Sequence, residues 1–343
     1  MEKKYKIFST CWHVMHYFDL ANALKDQADF YLCTNTWREW RDPRFLAVRP
    51  IPKNVSFVPY YEKEKYDFAI LSVDQQLANP DIGKRKIYTQ FRKTIGNDIP
   101  VITINHGSPV YPEFLKQEEM TDEDAQIECI KEIKELVKGS TMVTNSYTAV
   151  SMQEWGFGYP IRHGINKDDW WDLPKEPKVC TALSPGGCDA YYNRECMNEV
   201  ANILHEKYGY NLLWARVNIK TDDTLESYKE FLGRSLIYID TSFRTPLNRG
   251  RTEAMLSGCC VIQIKGKGKY KAHDLDYFAK DRENIILTEN NPNEIVKIII
   301  DLIEKNYDKA IKIGQAGKKT AIEKFNYAKY KNEWLKLIGK ICK

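Results

Sequence analysis

Tyr238-Ile-Asp-Thr-Ser-Phe-Arg-Thr-Pro-Leu-Asn-Arg-Gly-Arg-Thr-Glu253-Ala-Met-Leu-Ser-Gly258-Cys-Cys-Val-Ile262 is the stretch that decides the fold. It opens as an apolar strand, passes through a polar turn, and predicts a short helix opening near Glu253. Gly258 stops that helix, and a second buried strand follows. Strand–turn–helix–strand is half of a parallel α/β sheet, whose ligands sit beyond the carboxyl ends of the strands. A carboxylate at such a helix start can accept two hydrogen bonds from a ribose diol. The free N–H groups of the same first turn can face a phosphate. One short segment is thus able to hold a nucleotide.

The same rhythm extends in both directions. In the first half, strands are predicted at Tyr5–Thr10, Asp29–Cys33, Val55–Val58, Asp67–Val73, Pro100–Asn105 and Thr141–Thr144. Helical patterns lie near Tyr17–Asp26, at Asp122–Lys138 with Thr121 as its cap, and from Ser146 to Trp155. In the second half, strands are predicted at Val179–Leu183, Asn211–Trp214, Leu236–Ile239, Cys260–Ile264 and Asn284–Leu287. Pro292–Glu304 reads as an amphipathic helix with Pro292 in its first turn. Between the halves runs His163-Gly-Ile-Asn-Lys-Asp-Asp-Trp-Trp-Asp-Leu-Pro-Lys-Glu-Pro177, polar, aromatic and proline-bearing. A chain of 343 residues suits two domains of about 170 residues each.

Composition bounds the function. With 43% hydrophobic and 29% charged residues the chain reads as a globular protein. No apolar run approaches the roughly 20 residues of a membrane span. Met1-Glu-Lys-Lys-Tyr-Lys-Ile-Phe-Ser9 leads straight into a strand rather than a signal peptide, so a cytoplasmic location is expected. Nine cysteines, an odd number without Cys-x-x-Cys spacing, fit reduced thiols. A net charge of +4 is too small to demand a nucleic-acid partner. Basic clusters at Lys265–Lys271, and at Lys84–Lys86 with Arg92 and Lys93, suit a solvated surface, a phosphate-bearing ligand or peripheral contact with membrane headgroups.

The pattern Ser242-Phe243, nine residues, Glu253-Ala-Met, two residues, Gly258, two residues, Val261-Ile262 resembles the donor-site signature of GT-B glycosyltransferases. The likeness is greatest to the retaining family 4 (group 1). It implies an α/β fold of two Rossmann-like, doubly wound domains facing a central cleft. Residues 1–165 would form the acceptor-side domain and 166–325 the nucleotide-sugar domain. Residues 326–343 would form a terminal helix crossing back to the first. The resemblance gives Glu253 to the nucleotide ribose, with little expected effect of its loss on the unliganded fold. Thr245 stands where the family has a second Glu on the sugar. Asn248, Arg249, Gly250, Arg251 and Thr252 fill the intervening turn as further donor contacts.

Other strand ends supply the remaining candidates. Ser184-Pro-Gly186-Gly187 closes a strand, where glycines let the backbone approach a phosphate. Arg194 and Arg216 are assigned to the family's basic pair on the diphosphate. His106 ends the run Val101–Asn105 before a Gly turn, and resembles the family's strand-end His against the donor sugar. Trp12, His13 and His16 follow the first strand, where GT-B enzymes usually carry a Gly-rich acceptor loop. They suit stacking on a sugar or base, or packing between domains. Asp74 closes another strand and is a candidate for an acceptor hydroxyl. His163-Gly164 resembles the interdomain element and reads as a hinge.

No metal site is expected. His13 and His16 lack a third ligand, and neither Asp274-Leu-Asp276 nor Asp122-Glu-Asp124 follows a strand. Arginines and helix N-termini then meet the charge of the departing diphosphate. The expected function is metal-independent, retaining transfer of a sugar from a nucleotide-sugar, the co-substrate, to a hydroxyl acceptor, with no other cofactor. Polysaccharide, lipid carrier, protein and modified nucleic-acid base stay open as acceptors. A nucleotide-sugar epimerase of the same fold, or a catalytically weak nucleotide-sugar or polyanion binder, are the alternatives.

Overall fold

The computed structural model describes residues 4–10, 13–34, 40–41, 49–109, 122–145, 154–182, 192–214, 224–242, 248–266 and 275–342. The chain divides into two compact units: Met1–Gly164 with Tyr327–Lys343, and Ile165–Asn326.

In the first unit the strands are β1 (Tyr5–Thr10), β2 (Ala28–Cys33), β3 (Val55–Val58), β4 (Phe68–Val73), β5 (Val101–Asn105), β6 (Thr141–Thr144) and β7 (Tyr159–Pro160). Helices α1 (Val14–Ala23), α2 (Gly83–Ile95) and α3 (Asp122–Leu136) lie between them. The strands pair in parallel in the order β3-β2-β1-β4-β5-β6-β7. The order reverses between β1 and β4, which marks the ligand-binding end of a doubly wound sheet.

The second unit holds β8 (Glu176–Thr181), β9 (Leu212–Trp214), β10 (Ser235–Asp240), β11 (Cys260–Ile264) and β12 (Ile286–Thr288). Its helices are α4 (Arg194–Tyr208), α5 (Leu225–Arg234), α6 (Arg249–Leu256), α7 (Leu275–Phe278), α8 (Pro292–Glu304) and α9 (Tyr307–Lys324). The parallel order β12-β11-β10-β8-β9 reverses between β8 and β10. A last helix, α10 (Tyr327–Ile341), belongs to the first unit.

Burial explains why these runs are strands. Every residue of β4, β5, β10 and β11 is buried, as in parallel sheets covered on both faces. Successive side chains serve opposite layers. Ile237, Ile239, Ile262 and Ile264 pack with Met197, Val200, Ile295 and Ile299, whereas Tyr238 and Val261 pack with Leu232, Ala254 and Met255. In the first unit Ile70, Ile102 and Ile104 meet Leu20, Tyr330 and Trp334 on one face. Ala69, Leu71 and Val101 meet Tyr88 and Ile133 on the other. Each Val, Leu, Ile or Met side chain among them contributes about 1.5–3 kcal/mol on burial.

The helix of the opening stretch begins at Arg249, four residues before the expected point, because Asn248 caps it by accepting from Arg251 N at 3.0 Å. Gly258 ends it with φ +74. α8 keeps its expected bounds, with Asn291 accepting from Glu294 N at its start. The basic clusters of residues 84–93 lie on α2, a helix the apolar pattern did not reveal. Thr121 and most of the Ser146–Trp155 helix fall outside the described residues. Cys33, Cys129, Cys180, Cys196, Cys259 and Cys260 are buried free thiols. Among the described residues no helix is long and apolar enough to cross a membrane.

Candidate functional site

In the second unit, α6 follows β10 at the reversal of strand order, and Glu253 lies one turn into it. Its carboxylate is fully enclosed. Tyr228 of α5 donates to Oε2 at 2.8 Å, and the Arg249 guanidinium Nε stands 3.1 Å from Oε1.

The residues around it are built as a scaffold. Asp240, at the end of β10, accepts from Ser242 N at 2.9 Å and Ser242 Oγ at 2.5 Å. Ser242 Oγ in turn accepts from Asn248 Nδ2 at 2.8 Å. Thr252 Oγ1 donates to Asn248 O at 3.2 Å. Arg251, read from the sequence as a donor contact, is fully buried. It donates to Gln263 Oε1 at 3.3 Å and lies 4.9 Å over the Phe278 ring. Gly250 permits close packing, since a Cβ there would come within 2.7 Å of the Tyr238 hydroxyl and 3.3 Å of Ala182 Cβ. Arg194 is the first residue of α4, after Asn193 in a left-handed conformation (φ 48). Gly186, Gly187, Arg216 and Thr245 lie outside the described residues, as does Trp12.

The first unit gathers imidazoles at its own reversal point. His13 and His106 have ring centroids 4.4 Å apart, His16 and His106 4.8 Å, and His16 and His163 4.5 Å. His163 then stands 4.9 Å from the Tyr330 ring. His163 and Asp19 are both buried and paired, with Nε2 2.7 Å from Oδ2. His163, expected as a hinge, is therefore anchored inside the first unit. His106 Nε2 is 3.3 Å from Ser72 Oγ. Burial holds the His106 pKa well below the usual imidazole value, helped by repulsion from His13, His16, His163 and Lys84. Among the described residues no group of three or more His, Cys, Asp or Glu side chains is arranged to hold a metal ion.

Asp74 has a structural task. Its Oδ1 accepts from Gln76 N at 2.9 Å, capping the turn Gln75–Ala78, and its Oδ2 pairs with Lys84 Nζ at 3.2 Å. Lys84 Nζ also donates to Gln76 Oε1 at 2.5 Å. Each Asp74 oxygen thus has a partner within the unit, at the residue the sequence offered for an acceptor hydroxyl. Sequence reading missed Tyr228 and Asp19. Each sits in an ordinary helical stripe, and nothing local marks its polar end for a partner distant in the chain.

Neither a family model nor a curated protein sequence matches the chain. Solved structures do. HepE of Anabaena, determined with UDP and with UDP-glucose, is similar with TM-scores of 0.61 and 0.62 at 15% and 14% identity. The match covers 98% of this chain and 100% of HepE. Sucrose-phosphate synthase from Thermosynechococcus elongatus is similar with a TM-score of 0.64 at 11% identity, over 98% of this chain and 99% of its own. TarM of S. aureus gives 0.55 at 16% identity, over 79% of this chain and 55% of TarM. The chain has the GT-B fold, with two Rossmann-like α/β units.

Proposed function

We propose that this chain is a glycosyltransferase that moves a sugar from a nucleotide-sugar to a hydroxyl acceptor, with retention and without a metal. The observation that supports it most is the β10–α6 corner, which sets Glu253 at the strand-order reversal of a GT-B chain. HepE, similar along its whole length, holds UDP and UDP-glucose, which makes uridine diphosphate sugars the first donors to test.

In this reading Tyr228 and Arg249 orient the Glu253 carboxylate, which accepts from the two ribose hydroxyls. Donor entry has to uncover Glu253, because the unliganded fold encloses it. Arg251 is withdrawn into the scaffold, so the diphosphate falls to Arg194, Arg216, the glycines after β8 and the N-terminus of α6. His106 meets the sugar through its half-buried ring. The acceptor attacks from the leaving-group side, and a phosphate oxygen takes its proton. No protein base is needed, and retention follows.

A panel of uridine, guanosine and adenosine diphosphate sugars, assayed for donor hydrolysis with and without EDTA, tests this. Hydrolysis of at least one donor that survives chelation is expected. Loss on chelation, restored by magnesium or manganese, contradicts metal independence. Epimer formation would point to an epimerase, and no turnover at all to a binding protein.

A further inference from the structure

Tyr238 lies in β10, fully buried, and pairs in register with Cys180 of β8. Its hydroxyl nevertheless accepts from Ala182 N at 3.3 Å, two residues further along. The side chain therefore leans toward the carboxyl ends of the strands, the side on which ligands bind in such a sheet. The same hydroxyl reaches the first turn of α6, because a Cβ on Gly250 would come within 2.7 Å of it. Ala182 and Gly250 are themselves partly exposed, so the hydroxyl lies just beneath the surface of this corner.

The Ala182 N–H uses one lone pair of the phenol oxygen, and the phenol proton has no acceptor among the described residues. Burial, and behind it the charge of Asp240, raise the Tyr238 pKa well above the usual phenol value, so that proton stays in place. In α6 the Arg251 N–H is taken by Asn248 Oδ1 at 3.0 Å and the Thr252 N–H by Asn248 O at 3.2 Å. Gly250 is the second residue of the helix, where no carbonyl of the helix can reach its N–H. That N–H also has no acceptor among the described residues. Two neighbouring donors without acceptors, at the positive end of a helix, suit an oxygen anion.

We propose that Tyr238 is a diphosphate-binding residue, its hydroxyl donating to a phosphate oxygen of the nucleotide-sugar beside the Gly250 N–H. This rests on the nucleotide-sugar reading above and adds to it a neutral donor held rigidly by the sheet. Such a donor strengthens its hold as charge grows on the departing diphosphate.

Tyr238→Phe keeps the ring and removes only the hydroxyl. Calorimetric titration of the full chain with UDP and with uridine separates the phosphate contact from the rest, since uridine carries the ribose and no phosphate. The folded variant should bind UDP about tenfold more weakly and uridine as the wild type does. Equal UDP affinity in the two proteins overturns the proposal and leaves the nucleotide reading standing. Equal proportional losses for UDP and uridine also overturn it, because they mark Tyr238 as a support of the fold alone. A wild type that binds no nucleoside diphosphate removes the nucleotide reading and this proposal with it. If the variant fails to fold, a crystal structure of the wild type with UDP decides. A phosphate oxygen within hydrogen-bond distance of Tyr238 Oη supports the assignment, and none within reach refutes it.

Discussion

Burial, and behind it the charges of His13, His16, His163 and Lys84, hold the His106 imidazole well below its ordinary titration range. In the unfolded chain the same ring titrates near 6.5. Between the native and unfolded values the unfolded chain binds a proton that the native one refuses. Stability therefore rises with pH across that window, and falls as pH drops below about 6.5. One such group gives a slope of at most about 1.4 kcal/mol per pH unit. His106→Gln should flatten the pH dependence of the unfolding free energy by about one proton, measured by urea titration at stepped pH. Parallel profiles for the two proteins would contradict it. Glu253 makes a second prediction at this scale. The sequence suggested that its loss leaves the unliganded fold almost untouched, but the carboxylate is buried between Tyr228 and Arg249. Glu253→Ala removes a partner of the buried Tyr228 hydroxyl and of an Arg249 side chain that is 9% exposed, and should cost about 1–3 kcal/mol. Thermal unfolding without ligand checks this, and an unshifted midpoint would count against the enclosure.

Helix α9 lies directly against the backbone that leaves α6. A Cβ at Gly314 would come within 2.3 Å of Gly258 O and 3.1 Å of Cys259 C, atoms that cannot rotate away. Gly314→Ala should therefore destabilise by about 1–3 kcal/mol or more. Gly339, on α10, has nothing within 4 Å of the same position. There alanine should stabilise, by up to about 1 kcal/mol, through helix propensity and a less flexible unfolded chain. Opposite shifts in urea midpoint are expected from the two changes; shifts of the same sign would refute the packing argument. Elements show what the sequence reveals. β4, β5, β10 and β11 were legible because strands covered on both faces must be apolar throughout. α2 was not, because its buried stripe is thin and includes Lys84, which folds inward onto Asp74. Short-range chemistry such as the Asn291 cap before Pro292 can be read from adjacent letters. Asp19 and His163 stand 144 residues apart, and no local pattern joins them. For the same reason Tyr228 was invisible as a polar partner.

At the scale of the molecule, two parallel sheets with different strand orders each present a reversal point, and each holds a cluster of buried polar groups there. The second unit offers a carboxylate on a helix start. The first offers imidazoles with Asp19 behind them. Each unit thus carries its own candidate set of groups. The central claim is that Glu253 holds the ribose of a nucleotide. Calorimetric titration of UDP into the wild type and into Glu253→Gln, which preserves side-chain volume and an acceptor for Tyr228, tests it most directly. The wild type should bind, and the folded variant should bind at least about tenfold more weakly, a loss of about 1.4 kcal/mol or more. Equal affinity in the two proteins, or a wild type that binds neither UDP nor any other nucleoside diphosphate, would contradict the account.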